Sequence, residues 1–348
     1  MVSARNALRV FFLFGVLLLL AACSGDTGPV GPPGADGAPG VAGPEGPPGP
    51  AGADADLGDL SCTGCHNDST LITGKAAAWE ESLHGSGEAF VRGTSASCAG
   101  CHSGGAFSER VAAGLSPDEV ENGDPNPTRQ ECRTCHAIHT TYTDQDWALE
   151  TTSPVDLFAF EGTTYDGGKG NLCVQCHQPR RGIDPVVDGE IAITSTHWGP
   201  HHGPQSAMLL GLAGAGADGL ALEGNPASHA TLVEDTCVTC HMGEGASHTY
   251  EPDVAACQAC HSGIEDFDFS GLQTEVQAGL DQLEKALIAK GWLDEEGHPV
   301  VTSVPAGEAA ALWNWIYIAH EDGSLGVHNP AYTRTLIQEG LDALGVGG

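Results

Sequence analysis

Cys237-Val238-Thr239-Cys240-His241 and, shortly after it, Cys257-Gln258-Ala259-Cys260-His261 are two copies of one pattern, Cys-x-x-Cys-His. Four more copies precede them: Cys62-Cys65-His66, Cys98-Cys101-His102, Cys132-Cys135-His136 and Cys173-Cys176-His177. Together they use every cysteine of the chain except Cys23. Two sulfurs three residues apart fall on one side of a helical turn, where they can capture the two vinyl groups of one porphyrin. The adjacent histidine then stands beneath the iron as its proximal ligand. One copy alone would also suit a redox or zinc site. Six copies with no cysteine left over among them point to six covalently bound haem c groups.

An iron that only passes electrons keeps both axial positions filled, whereas one that does chemistry leaves a position open. Sixteen histidines are present. Those outside the motifs are His84, His139, His197, His201, His202, His229, His248, His298, His320 and His328. Met208 and Met242 offer little as alternatives. His139 lies three residues beyond His136 and would share its helix face, so it is expected to serve a neighbouring haem. His229 and His248 precede the last two motifs and suit the same cross-linking role. His84 sits at a plausible helix end. His328 precedes Asn329-Pro330, a capping residue and a helix-opening proline that would fix it at a helix start. The run His197-Trp198-Gly199-Pro200-His201-His202 is expected to supply the sixth ligand, with His201 preferred over His202 and His197. His298 and His320 read as surface residues. The expected distal set is therefore His84, His139, His201, His229, His248 and His328. Surplus histidines from the 197–202 run would suit proton donors in a substrate pocket if one iron were open.

Residues 1–22 read as a secretory signal. Arg5 and Arg9 precede the apolar run Val10 to Leu20, and Leu20-Ala21-Ala22-Cys23 closes it. The run is shorter than the roughly 20 residues a spanning helix needs. It ends like a bacterial lipobox, so Cys23 is the expected lipidation site. Ser24 in the next position favours the outer membrane by likeness to bacterial lipoproteins. Residues 23–55 then form a stalk, with glycine at every third position from Gly28 to Gly52 and abundant proline between. That pattern suits either a collagen-like triple helix, and so a homotrimer, or a single polyproline spacer. Either is extended, up to ~80 Å at ~3.1 Å per residue.

Residues 56–348 are expected to form one haem-bearing domain, mainly α and loop-rich, with the haems making up much of its core. Within it, 271–348 carries no motif. Leu272, Val276, Leu280, Leu283 and Leu287 recur at helical steps up to Gly291. A second helix is expected from about Ala306 to His320, with Leu312, Trp313, Ile316 and Tyr317 on its apolar side. A third begins at Pro330 and carries Leu336, Leu341 and Leu344. These helices would cover the haem stack or pair two copies of the chain. Strand signals are few, Ile191-Ala192-Ile193-Thr194 being the best of them. The formal net charge of −33 would repel a polyphosphate, so nucleic acid is not an expected partner.

The motif order resembles the bacterial multihaem cytochromes c that include the pentahaem nitrite reductases and their octahaem relatives. The resemblance is carried by His201-His202-Gly203-Pro204-Gln205, by Cys237-Val238-Thr239-Cys240-His241-Met242, and by Asp322-Gly323-Ser324-Leu325-Gly326-Val327-His328-Asn329-Pro330 with Ala331-Tyr332-Thr333-Arg334. It covers roughly residues 56–345 and implies a mostly α fold with stacked haems and, through the C-terminal helices, a homodimer. One departure matters: the nitrite reductases typically carry a Cys-x-x-Cys-Lys site, and all six motifs here end in histidine. The function expected is therefore electron transfer by an exported, lipid-anchored hexahaem cytochrome with redox-protein donors and acceptors, facing the periplasm or the cell surface. The alternative is a reductase or oxidase of a small nitrogen or sulfur compound at one open haem.

Overall fold

The computed structural model describes residues 66, 70–201, 203–243 and 245–346. The signal, Cys23, the collagen-like stretch, Cys62, Cys65 and His202 lie outside the described residues. No helix among the described residues is long and apolar enough to cross a membrane.

The chain is mainly α, built from short helices and long connections. α1 (Thr70–Glu81) is followed by the single turn α2 (Leu83–Ser86), α3 (Ala96–His102) and α4 (Gly104–Ala113). Single turns α5 (Cys132–Cys135) and α6 (Gly170–Val174) carry the next two motifs. After α7 (Gln205–Leu210) and α8 (Ser228–Leu232), α9 (Cys237–His241) and α10 (Val254–Cys257) carry the last two. Three longer helices close the chain: α11 (Leu272–Ala289), α12 (Ala309–Ile316) and α13 (Pro330–Ala343). Among the described residues strand is limited to three two-stranded antiparallel ribbons. They pair β1 (Val155–Asp156) with β2 (Thr164–Tyr165), β3 (Glu190–Ala192) with β6 (Ser303–Pro305), and β4 (Gly214–Ala215) with β5 (Ala221–Leu222). The Ile191 segment is thus a strand, with Ile191 opposite Val304.

The C-terminal helices follow the expected registers. α11 buries Leu272, Val276, Leu280, Leu283 and Leu287, and Gly291, at φ +70°, takes the left-handed conformation just past its end. Asn329 caps α13, its side chain accepting from the Tyr332 amide at 3.2 Å, with Pro330 in the first turn. The helices approach closely where glycine allows it. A methyl on Gly279 would come within 2.6 Å of Ile337, and one on Gly340 within 3.3 Å of the Ala311 backbone.

One expectation is corrected here. The helix expected over 306–320 is α12 flanked by a 3-10 turn (Ala306–Glu308) and a π turn (Tyr317–Asp322), and α12 has no exposed face, every residue from Ala309 to Ile316 being buried. β4, the Trp198 loop, α11 and α13 enclose it. Around it lies a conventional core in which Trp198, Met208, Leu283, Leu312, Trp313, Ile318 and Leu336 are buried together. Two of its buried polar side chains are tied to the backbone: Asn314 accepts from the Ala215 amide and donates to the carbonyls of Ala215 and Leu336, all at 2.8–2.9 Å, and the Trp313 indole donates to Ala213 at 2.7 Å. A smaller cluster (Val155, Leu157, Tyr165, Val174, Leu209 and Ala227) braces α6 and α9.

Candidate haem-ligand site

Three of the attachment turns are closed the same way. The amide of the motif histidine donates to the carbonyl of the first cysteine: His136 to Cys132 at 2.9 Å, His177 to Cys173 at 2.9 Å and His261 to Cys257 at 2.8 Å. One closed turn therefore holds the two cysteines and the histidine in fixed relation. Among the described residues the motif cysteines Cys98, Cys101, Cys132, Cys135, Cys173, Cys176, Cys237, Cys240, Cys257 and Cys260 form no disulfide, and each is half-buried or exposed.

Every motif histidine faces one histidine from elsewhere in the chain. The ring centroids are 6.0 Å apart for His66 and His139, 6.1 Å for His177 and His84, and 6.1 Å for His102 and His201. They are 6.3 Å apart for His136 and His248, 6.2 Å for His261 and His229, and 6.3 Å for His241 and His328. Among the described residues no motif histidine is used twice, and the six partners are the six residues of the expected distal set. Two imidazoles on opposite sides of one metal have centroids about 6.2 Å apart, from metal–nitrogen bonds of about 2.0 Å and a ring radius of about 1.1 Å. The donor set therefore fits one axially ligated iron per motif. A four-ligand zinc site needs three or more donors in one place, and no such group occurs among the described residues.

The second nitrogen of most rings is already engaged. Nδ1 of His102, His136, His229, His241 and His248 lies 2.8–3.1 Å from the carbonyls of Ala89, Trp147, Val327, Tyr250 and Ala246. A carbonyl only accepts, so Nδ1 carries the hydrogen and Nε2 keeps its lone pair for a ligand. His177 Nδ1 lies 3.0 Å from Gln205 Oε1. The orientation of that amide is set by its other end, since Nε2 donates to the carbonyls of Glu321 and Asp322 at 3.2 Å. His328 Nδ1 donates to the fully buried Asp322 carboxylate at 2.7 Å. Burial draws His328 down, but Asp322 outweighs it and holds the ring above its ordinary pKa. A carboxylate behind a ligating imidazole strengthens it as a donor. Burial, with the His177 ring second, draws His84 down to about 4, so it is neutral at pH 7.

The pairs bind distant parts of the chain together. His84, on α2, meets His177, three residues past α6, and His201, in the loop before α7, meets α3. His328, in the loop before α13, meets α9. His139 corrects the reasoning that selected it. α5 ends at Cys135, His136 is extended, and His139 is left-handed at φ +64°, so the two histidines share no helix face. The loop between them is held by Asp146, whose carboxylate accepts from the amides of His139, Thr141 and Tyr142 at 2.7–3.1 Å. His248 meets the third motif and not an adjacent one. His197 and His298 face each other elsewhere, at 5.7 Å, and His320 packs on Trp315 at 4.9 Å.

Sequence reasoning missed the residues behind the ligands. Gln205 and Asp322 lie inside stretches noted for their likeness to multihaem cytochromes, and their side-chain chemistry was the available signal. Backbone carbonyl partners carry no such signal. Tyr250 was also missed: its ring contacts His84 at 4.8 Å and His248 at 5.9 Å, while its carbonyl receives His241.

No family model and no curated protein matches the chain. Among solved structures, the crystal structure of the outer cell wall cytochrome OcwA is similar over 78% of this chain and 50% of its own, at 21% identity and a TM-score of 0.48. The chain thus spans about half the length of that cytochrome.

Proposed function

We propose that the chain is an exported hexahaem c-type cytochrome that transfers electrons through bis-histidine haems. The observation that carries this reading is the pairing of all six motif histidines with one further histidine each, at 6.0–6.3 Å. The cysteine pairs, with Cys62 and Cys65 assigned by motif alone, would hold the porphyrins through thioethers. The proximal set is His66, His102, His136, His177, His241 and His261, and the distal set is His84, His139, His201, His229, His248 and His328. A haem held this way supplies one-electron chemistry at its iron. These histidines would hold each haem from both sides and so exclude exogenous ligands. The Nδ1 acceptors hold seven of the twelve rings, so little would move there on a change of charge. The leader with Cys23, and the collagen-like segment after it, support a lipid-anchored protein whose haem domain is held off the membrane, passing electrons between redox proteins at the periplasmic or outer face.

The test is haem counting by mass, followed by EPR of the ferric protein and optical spectra of the reduced protein with carbon monoxide. Six low-spin haems with no carbon monoxide response are expected. His84→Ala should open one iron, giving one high-spin haem and a carbon monoxide shift for one haem in six. A stoichiometric high-spin haem in the parent protein would overturn saturation and favour reduction or oxidation of a small nitrogen or sulfur compound.

A further inference from the structure

Arg110, in the last turn of α4, is only 3% exposed, in a chain whose net charge is −33. Its Nε donates to the Gly100 carbonyl at 3.1 Å, one terminal nitrogen to Leu115 at 2.9 Å, and the other to Gln175 at 3.2 Å. Gly100 directly precedes Cys101, and Gln175 directly precedes Cys176. One guanidinium therefore bonds the inside of two attachment turns, those of the second and fourth motifs.

The two turns also touch. Cys101 Sγ lies 3.9 Å from the Gln175 carbonyl, and Cys176 Sγ lies 3.8 Å from the Cys101 carbonyl. Gly100 makes the room, since a methyl there would meet the Arg110 Cδ at 2.9 Å. The guanidinium lies 5.2 Å from the ring centre of buried Phe107. Among the described residues no carboxylate is within ion-pair distance of Arg110, and its acceptors are all carbonyls. Their dipoles solvate the charge without neutralising it. A buried cation with no anion is costly in stability and generates a strong local field where the dielectric is low.

We infer that Arg110 raises the reduction potentials of the haems at Cys98–His102 and Cys173–His177, so that these two take up electrons first. The inference rests on the hexahaem reading above. Reduction of a ferric haem adds one electron and lowers the charge of the site by one, so a fixed positive charge beside it favours the reduced state. The electron comes from a one-electron donor outside the domain, the chemical reductant in a titration, which is oxidised in the same step, and no bond is made or broken. Arg110 is a positioning residue that acts through its field, and Arg110→Lys and Arg110→Gln separate the field from the clamp. Lysine keeps the charge but loses the fork, while glutamine keeps some hydrogen bonding and loses the charge.

The experiment is an optically followed redox titration of the full haem-loaded protein and both variants, with haem content read by mass. In Arg110→Gln, two of the six haems should titrate at lower potential while four stay in place, and Arg110→Lys should stay near the parent. A parent-like titration of Arg110→Gln would overturn the inference. So would equal shifts in both variants, which would mark Arg110 as a clamp only. If Arg110→Gln does not load its haems, stepwise reduction of the parent followed by paramagnetic NMR decides: the second- and fourth-motif haems must reduce before the others, and their reducing later overturns the proposal. A parent with no haem at these motifs would overturn the hexahaem reading itself, and the mass measurement keeps that outcome distinct.

Discussion

The motif-bearing region and the C-terminal helical region hold their shape by different means. Around the motifs the helices are single turns such as α5, α6 and α10, far below the length at which a helix sustains itself in water. Their side chains meet as imidazole pairs across sequence-distant segments. The C-terminal region instead has α11, α12 and α13 packed around fully buried Leu283, Leu312 and Trp313, with Asn314 tying β4 to α12 and α13. On the proposed reading, ligand chemistry dictates residue identity in the first region, whereas burial dictates it in the second. The haems are thus expected to be a structural requirement for one region and not for the other.

The largest expected effect follows from that contrast. In the full chain made without haem attachment, amide hydrogen exchange should show α11, α12 and α13 still protected, while α3, α5, α6, α9 and α10 exchange at once. Haem loading should then restore protection to the motif turns. Equal protection of the motif turns with and without haem would break the comparison, because it would mean their own packing holds them.

Trp313→Ala strikes the other side. The ring is fully buried, bonds Ala213 and meets Trp198 edge-on at 4.9 Å. Its removal from the haem-loaded protein should cost about 3–5 kcal/mol in denaturant unfolding, with the low-spin haem spectrum unchanged below the transition. A loss under about 1 kcal/mol would mean that ligation, and not this core, carries the stability of the C-terminal region.

Much of this contrast could be read from the residues themselves. The three- and four-residue recurrence of leucine placed α11, and Asn329-Pro330 placed the start of α13, because those signals are local. The burial of α12 on every side was not local. It depends on β4 and the Trp198 loop, which reach it from about a hundred residues earlier. The six partner histidines were recognisable as a set, since six haem motifs would need six partners and few other donors exist. Which histidine meets which motif was not legible. His84 lies between the first and second motifs yet faces the fourth, a consequence of the tertiary path. Arg110 carried no sequence signal at all. Its importance comes from the meeting of two turns that nothing local predicts.

The smallest expected effect lies where the two regions meet. Glu321, in the π turn after α12, is 4% exposed and stands against Gly199, while its carbonyl receives the Gln205 amide that orients His177. Burial pushes its carboxyl up to about 7, against an opposing pull from Arg181. An unfolded glutamate ionises near 4.5, so between about 4.5 and 7 the folded chain holds a proton that the unfolded chain has lost. Stability should therefore fall as pH rises through that window and level off above it, by a loss on the order of 1–2 kcal/mol after screening by solvent. Glu321→Gln should flatten that slope and raise the unfolding midpoint at pH 8, because the amide keeps the shape of the neutral acid and never ionises. Denaturant midpoints of both proteins at pH 5 and pH 8 would decide it: the same drop in parent and variant would place the pH dependence elsewhere in the molecule, and a drop confined to the parent would locate it at this seam between the ligand network and the apolar core.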